Sequence, residues 1–124
     1  MGDLTAHFNK WEFSCSCGEC DSQSLMDPGF MATLEAARIK SDTSYTITSG
    51  YRCPMHPQTV SRPTSSHPKG LAADIHTPTS RKRYDVLSGL LQAGFTRIGI
   101  GKGFIHVDDD SEKAQDVTWD YYKD

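Results

Sequence analysis

The chain has 124 residues, a length that suits one domain over residues 1–124 and leaves no room for a second core. Its 36% hydrophobic and 23% charged residues are typical of a globular protein and exclude wholesale disorder. The net charge of −3 excludes nucleic-acid binding by bulk positive charge, so we expect no nucleic-acid partner.

Long apolar runs are missing from the sequence. No stretch approaches the roughly 18–20 apolar residues that span a bilayer. Residues 1–20 also lack the apolar segment of a secretory signal. We therefore expect synthesis in the cytoplasm without a signal peptide, and no membrane insertion.

The first half of the chain predicts one helix, one strand and a loop. Residues 26–40 predict the first helix, because Asp27 suits the cap and apolar residues recur at helical spacing. Residues 45–49 are rich in β-branched and aromatic side chains and predict a strand that ends at Gly50. Residues 52–70 carry four prolines among serines and threonines, which predicts an irregular loop of the kind that often carries function.

The second half of the chain predicts three strands, another helix and a polar tail. Residues 71–76 predict a strand, and a helix follows near residues 80–93. Its predicted buried stripe consists of Tyr84, Leu87, Leu90 and Leu91. Residues 97–100 and 104–108 predict two strands joined as a hairpin through a Gly-Lys-Gly turn. The acidic tail beyond them carries aromatic residues that we expect to dock on the body: Trp119, Tyr121 and Tyr122.

These elements predict an α+β fold. We expect a small antiparallel sheet of about four strands, covered on one face by the helices near residues 28–40 and 80–93. The other face of the sheet is then open and can carry a site.

Polar groups of two predicted strands fall on this open face. Side chains alternate along a strand, so Asp74 faces away from the apolar residues of its strand, and His106 and Asp108 do the same in theirs. His67 precedes a Pro-Lys-Gly turn that can bring it back beside Asp74. Two imidazoles and one carboxylate, with a fourth position for water, are the usual plan of a catalytic zinc site. A carboxylate inside an apolar run needs a partner, and we expect zinc on the open face.

The same segment resembles a known peptidase family. Residues 65–74, SSHPKGLAAD, resemble the Ser-x-His-x-x-Gly-x-Ala-x-Asp signature of zinc-dependent D-alanyl-D-alanine carboxypeptidases and L-alanyl-D-glutamate peptidases, whose metal fold is shared with the hedgehog signalling domain. Residues 48–54 resemble the family's Ser-Gly-Tyr-Arg segment, residues 94–99 its Gly-Phe pattern, and residues 104–108 its third-ligand strand. Residues 13–18 resemble the opening of small, often phage-encoded members.

The resemblance implies a role for each matching residue. His67, Asp74 and His106 are the implied zinc ligands. Arg52 is implied to stabilise developing charge or to bind a substrate carboxylate, and the rigid donor fork of a guanidinium suits both tasks. Ser65 matches the family serine and is expected to bind substrate.

The residue that transfers the proton is open at this stage. Many family members have a Glu three residues, or a His two residues, before the last ligand, where this chain has Gly103 and Phe104. Asp108 is the nearest carboxylate on the same strand face, and it could act as the base or orient a ligand imidazole. His56 and His76 are further candidates. A solvated turn is expected to hold the acidic residues that follow, Asp109 and Asp110.

The implied reaction is metal-assisted hydrolysis of amide bonds in peptidoglycan stem peptides, of the carboxypeptidase or the endopeptidase type. Such a protein, for example a phage endolysin or a tail-associated enzyme, is expected to act at the bacterial cell wall or to be carried on a virion. The alternative is a non-catalytic zinc-binding module that serves in binding or virion assembly, since the hedgehog domain keeps the ligand set in a signalling role.

The four cysteines form a separate group, and three of them lie within six residues: Cys15, Cys17, Cys20 and Cys53. They could hold a second, structural zinc ion, form a disulfide outside the cell, or stay reduced. The sequence leaves these three alternatives open.

Overall fold

The computed structural model of the protein describes residues 2, 4–14, 26–52 and 65–121. Within these ranges two helices and a five-stranded sheet form an α+β fold, as predicted. The helices are α1 (Pro28–Ser41) and α2 (Ser80–Gln92), and the strands are β1 (Ile47–Ser49), β2 (Ala72–His76), β3 (Arg97–Ile100), β4 (Phe104–Asp108) and β5 (Val117–Asp120). Two short 3-10 turns cover Lys10–Phe13 and His67–Lys69.

Both helices begin at side-chain caps, in agreement with their predicted starts. Asp27 accepts a hydrogen bond from the backbone N–H of Phe30 at 2.9 Å, and Thr79 accepts one from that of Lys82 at 3.1 Å. Such caps satisfy first-turn donors that have no partner within the helix. After α2, Gly94 adopts a φ of 99°, which glycine tolerates without strain, and the chain turns back toward β3.

The sheet has the strand order β1-β2-β4-β3-β5. The first four strands pair in antiparallel fashion, and β3 and β4 form the predicted hairpin. β5 is additional to the predicted four strands and pairs with β3 in parallel, with Trp119 opposite Gly99. The expected docking of the tail is observed for Trp119 and Tyr121, whose rings contact His106. Tyr122 lies outside the described residues.

β1 is shorter than the predicted strand over residues 45–49. It begins at Ile47, because Tyr45 turns into the core, where its hydroxyl pairs with that of Ser41 at 2.6 Å. The side chain of Tyr45 therefore packs against the helices, whereas the carbonyl oxygen of Thr46 still accepts from the backbone N–H of His76 in β2 at 2.8 Å.

The sheet and the helices enclose one hydrophobic core. The alternation predicted for β2 and β4 is confirmed, since their inward side chains are fully buried: Ala73, Ile75, Ile105 and Val107. The helices contribute fully buried residues to the same core: Phe30, Leu34, Val86 and Leu90. Asp74 and His106 belong to the opposite face, as the alternation requires.

The predicted buried stripe of α2 is wrong at two positions. Tyr84 and Leu91 are 68% and 58% exposed, whereas Val86 and Leu90 are fully buried. The reason is a close crossing with α1 at Gly89, where a Cβ would lie 1.9 Å from the hydroxyl oxygen of Ser41. This contact turns the face of α2 that carries Gly89 and Leu90 inward. Neither helix of the described ranges is long and apolar enough to cross a membrane.

Candidate metal centre

The three predicted zinc ligands come together on the open face of the sheet. β2 and β4 pair in a register that places Asp74 opposite His106. His67 lies in the 3-10 turn before β2, and Gly70, with a φ of 72°, turns the chain back into the strand. One possible ligand atom from each of these three residues lies within 4.8 Å of the others.

Hydrogen bonds determine which nitrogen of each imidazole faces the cluster. Nδ1 of His67 lies 2.7 Å from the carbonyl oxygen of Gly50, which can only accept, so Nδ1 carries the proton. Nε2 of His106 lies 2.7 Å from Oδ2 of Asp108 and donates to it. The remaining nitrogens, Nε2 of His67 and Nδ1 of His106, lie 3.5 and 2.9 Å from the same Oδ1 of Asp74.

The contacts within the cluster favour an ionised Asp74 and a protonated His106. Burial opposes ionisation of Asp74, but hydrogen bonds with His106 and His67 outweigh it and hold the pKa of this carboxyl well below its usual range. Burial also opposes a charge on His106, and hydrogen bonds with Asp108 and Asp74 outweigh it and raise the pKa of the imidazole. Two imidazole nitrogens and a carboxylate oxygen are ligands that zinc prefers, so the donor set fits this metal.

Arg52 and Ser65 lie beside the candidate ligands. Nη2 of Arg52 donates to Oδ2 of Asp74 at 3.1 Å, and both side chains are largely buried. The hydroxyl oxygen of Ser65 accepts from the backbone N–H of His67 at 3.2 Å. The structure therefore brings both residues, each predicted to contact substrate, next to the candidate zinc ligands.

Asp108 is buried beneath His106 and is only 1% exposed. One carboxylate oxygen contacts His106, and the other accepts from Nε of Arg97 at 2.6 Å and from the backbone N–H of Asp110 at 3.2 Å. Burial opposes its ionisation, but the hydrogen bonds from His106 and Arg97 lower the pKa of Asp108. Both of its oxygens thus contact donors that also orient it.

Sequence reasoning assigned no role to Arg97, and it was wrong to expect Asp110 in a solvated turn. Arg97 is 8% exposed, and its guanidinium lies 4.9 Å from the centre of the Trp119 ring. Asp110 is 1% exposed and accepts from the hydroxyl of Ser66 at 2.7 Å, whereas Asp109 is exposed as expected. A buried arginine needs an anion as its partner, but Arg97 follows the polar Thr96 at the start of β3, so the sequence alone does not show that it is buried. The sequence carried no signal for Asp110 either.

Some of the predicted features lie outside the described residues: Cys15, Cys17, Cys20, Cys53 and His56. The three alternatives for the cysteines therefore stay predictions. His76, the other histidine considered for proton transfer, is exposed at the end of β2.

A comparison with protein families gives a match for most of the chain. Residues 6–108 match the family model described as Peptidase M15. The match includes all three candidate ligands and ends with β4, before β5 begins. A search of curated proteins finds no match.

Proposed function

The chain belongs to the peptidase M15 family, whose members are zinc-dependent peptidases, and we propose that it hydrolyses amide bonds in peptidoglycan stem peptides. The observation that carries this proposal is the approach of His67, Asp74 and His106 to within 4.8 Å. The reaction is of the D-Ala-D-Ala carboxypeptidase or the L-Ala-D-Glu endopeptidase type.

We assign Nε2 of His67, Nδ1 of His106 and a carboxylate oxygen of Asp74 as the zinc ligands. A zinc ion bound by such a set polarises a carbonyl group and lowers the pKa of water toward neutrality, which is the chemistry that amide hydrolysis needs. Hydrogen bonds within the chain orient the two imidazole rings. Gly50 fixes the ring of His67, and Asp108 fixes that of His106, through the hydrogen bonds to their second nitrogens.

Arg52 is the proposed principal contact for substrate. Its hydrogen bond to Asp74 keeps the guanidinium beside the ligands. Because a guanidinium has five N–H donors in a rigid fork, it can hold Asp74 and an anionic substrate oxygen at the same time. That oxygen is a stem-peptide carboxylate or the carbonyl oxygen on which charge develops. Ser65 is the proposed second contact, since its hydroxyl lies next to His67.

For Asp108 we propose the second of its two predicted roles, the orientation of His106. One of its oxygens accepts from the imidazole, and the other accepts from Arg97 and from the backbone of Asp110. A general base must reach the proton that it abstracts, and a carboxylate that is 1% exposed and contacts donors on both oxygens does not favour that role.

The proposed substrate and place of action rest on the family and on Arg52. Stem peptides are short and end in carboxylates, which a single arginine in an open site can select without a deep side-chain pocket. We propose that the protein acts at the bacterial cell wall, as a phage endolysin or as a tail-associated enzyme carried on a virion.

A specific observation favours one alternative, a non-catalytic zinc-binding module that serves in binding or virion assembly. The positions where many relatives have a Glu or His base are Gly103 and Phe104, and Asp108 is buried. Such a module would keep the zinc ligands and have no hydrolytic activity.

The test combines zinc content, by elemental analysis, with the release of new amino termini from purified peptidoglycan. We expect about one zinc ion per chain, as for a single three-ligand site, and release that a chelator abolishes. Zinc without release would support the non-catalytic module, and absence of zinc would contradict the metal site. A second zinc ion would indicate that the cysteines also bind metal.

Substitutions test the proposed roles of the zinc ligands and of Arg52. His67→Ala and Asp74→Ala should lose zinc and activity together, whereas Arg52→Ala should keep zinc and lower turnover. His76→Ala is the matched control for zinc content, because it removes an exposed imidazole from the same strand as Asp74 and should leave zinc bound; its activity tests the role of His76 in proton transfer. A variant without zinc that keeps full activity would refute the mechanism.

A further inference from the structure

A buried carboxylate outside the ligand set lies between the two segments that carry the imidazole ligands. Asp110 follows β4 and is 1% exposed, and Ser66, the residue before His67, is also 1% exposed. The hydroxyl of Ser66 donates to Oδ2 of Asp110 at 2.7 Å. This contact joins the turn before β2 to the turn after β4.

Two lysines complete what we call the Asp110 cluster, which consists of Asp110, Ser66, Lys69 and Lys113. Nζ of Lys69 donates to the two oxygens of Asp110 at 3.0 and 3.2 Å. Nζ of Lys113 donates to the hydroxyl oxygen of Ser66 at 2.9 Å. The backbone N–H of Glu112 donates to Oδ1 of Asp110 at 3.1 Å. A buried carboxylate with this many donors is well compensated, and an amide in its place would present an NH₂ donor to donors where one of the acceptor oxygens had been.

Asp110 also contacts the support of the second imidazole. Its backbone N–H donates to Oδ1 of Asp108 at 3.2 Å, and the other oxygen of Asp108 holds His106. One residue therefore acts on both sides of the site: its side chain fixes the neighbour of His67, and its backbone fixes the partner of His106. Neither the proposed ligands nor the proposed substrate contacts include it.

We propose that Asp110 is a positioning residue that fixes the separation of His67 and His106 and thereby sets the zinc affinity of the site. The inference rests on the proposed zinc site. Because a metal ion requires its ligands at defined distances, a site that must rearrange before binding has a lower affinity. A purely structural ion pair would instead contribute to folding stability and leave zinc affinity unchanged.

The test compares Asp110→Asn with Asp109→Asn. The two variants make the same change of charge at adjacent positions, but Asp109 is exposed. We would measure the Kd for Zn²⁺ by competition with a chromophoric chelator, and record the visible absorption spectrum of the Co²⁺-loaded protein, which reports ligand geometry. We expect Asp110→Asn to raise the zinc Kd by about tenfold, as for other residues that orient ligands, and to alter the Co²⁺ spectrum. Asp109→Asn should match the parent in both.

Ser66→Ala gives an independent measurement, because it removes the hydroxyl link and keeps the carboxylate. It should raise the zinc Kd in the same direction, and it replaces Asp110→Asn if that variant does not fold. The inference is overturned if Asp110→Asn and Asp109→Asn have the same zinc Kd and the same Co²⁺ spectrum, even if the Tm of Asp110→Asn is lower. An unchanged zinc Kd for Ser66→Ala also overturns it. A parent protein that binds no zinc overturns the proposed metal site itself, and this inference with it.

Discussion

Replacing Arg97 by methionine tests the buried support beneath His106. Nε of Arg97 donates to the carboxylate of Asp108 at 2.6 Å, and Nη1 donates to the carbonyl oxygen of Ala114 at the same distance. Removing one partner of a buried ion pair typically costs about 3–5 kcal/mol, because it leaves the other charge without compensation. Asp108 keeps its contacts with His106 and with the backbone N–H of Asp110, so we expect a loss near the lower limit, about 3 kcal/mol.

Arg81→Met is the matched control. Arg81 pairs with Asp85 one helical turn away at 3.2 Å, but its side chain is 83% exposed. Exposed pairs of this kind contribute about 0.3–0.5 kcal/mol. The two substitutions are chemically identical, so the difference between them isolates the effect of burial.

The assay is unfolding of the chelator-treated proteins at neutral pH, by denaturant for the free energy of unfolding and by heat for the Tm, both followed by circular dichroism. A loss of 3 kcal/mol corresponds to a fall in Tm of roughly 10 °C for a domain of this size. The double variant Arg97→Met/Asp108→Asn should be more stable than Arg97→Met alone, because the uncompensated charge is gone. The reasoning is refuted if Arg97→Met loses no more stability than Arg81→Met.

Three further predictions concern packing and pH. Gly99→Ala should lower the free energy of unfolding by about 1–3 kcal/mol, since its Cβ would lie 2.6 Å from Nε1 of Trp119; an unchanged midpoint in urea would contradict this packing. Leu90→Ala should cost about 2–5 kcal/mol and Leu91→Ala less than about 0.5 kcal/mol, because Leu90 is fully buried and Leu91 is 58% exposed; equal losses would contradict the observed face of α2. Burial opposes ionisation of Glu35, but hydrogen bonds outweigh it and lower its pKa; their donors are Thr5 and His7. The contribution of Glu35 to stability is therefore complete above its unfolded pKa of about 4.3 and is lost as the pH falls through the lower folded value. Glu35→Gln should make the free energy of unfolding less steeply dependent on pH below about 4.3. Identical acid unfolding curves for this variant and the parent protein would argue against the contribution of the Glu35 hydrogen bonds.

The strands that carry Asp74 and His106, two of the proposed ligands, were predictable because their pattern is local. Asp74 interrupts an apolar run, and His106 alternates with buried residues in β4. Because side chains alternate between the two faces along a strand, this pattern alone predicted that Asp74 and His106 lie on the same face of the sheet. β5 alternates as well, with Val117 and Trp119 half-buried and Thr118 and Asp120 exposed, but it has only four residues. Its parallel partner β3 is found only through the tertiary fold, so the sequence predicted docked aromatics rather than a strand.

The errors arose where long-range contacts decide the outcome. In α2 the large residues fitted a helical stripe that included Leu91, but the close crossing at Gly89 selected a different face, and a glycine gives no hydrophobic signal. Asp110 stands next to exposed Asp109 in an acidic run, and its distant partners Ser66 and Lys69 distinguish the two. Local composition does not contain that information.

The position of the proposed ligands within the sheet has a consequence for the local stability of the site. β2 and β4, which carry Asp74 and His106, are paired on both sides, whereas Arg52 follows β1 at an edge. Amide hydrogen exchange should therefore be slowest at Asp74 and His106 and faster at Arg52, because edges open at lower free energy than central strands. Substitutions in the edge segment would then alter the proposed substrate contact of Arg52 while Asp74 and His106 keep their places in the centre of the sheet.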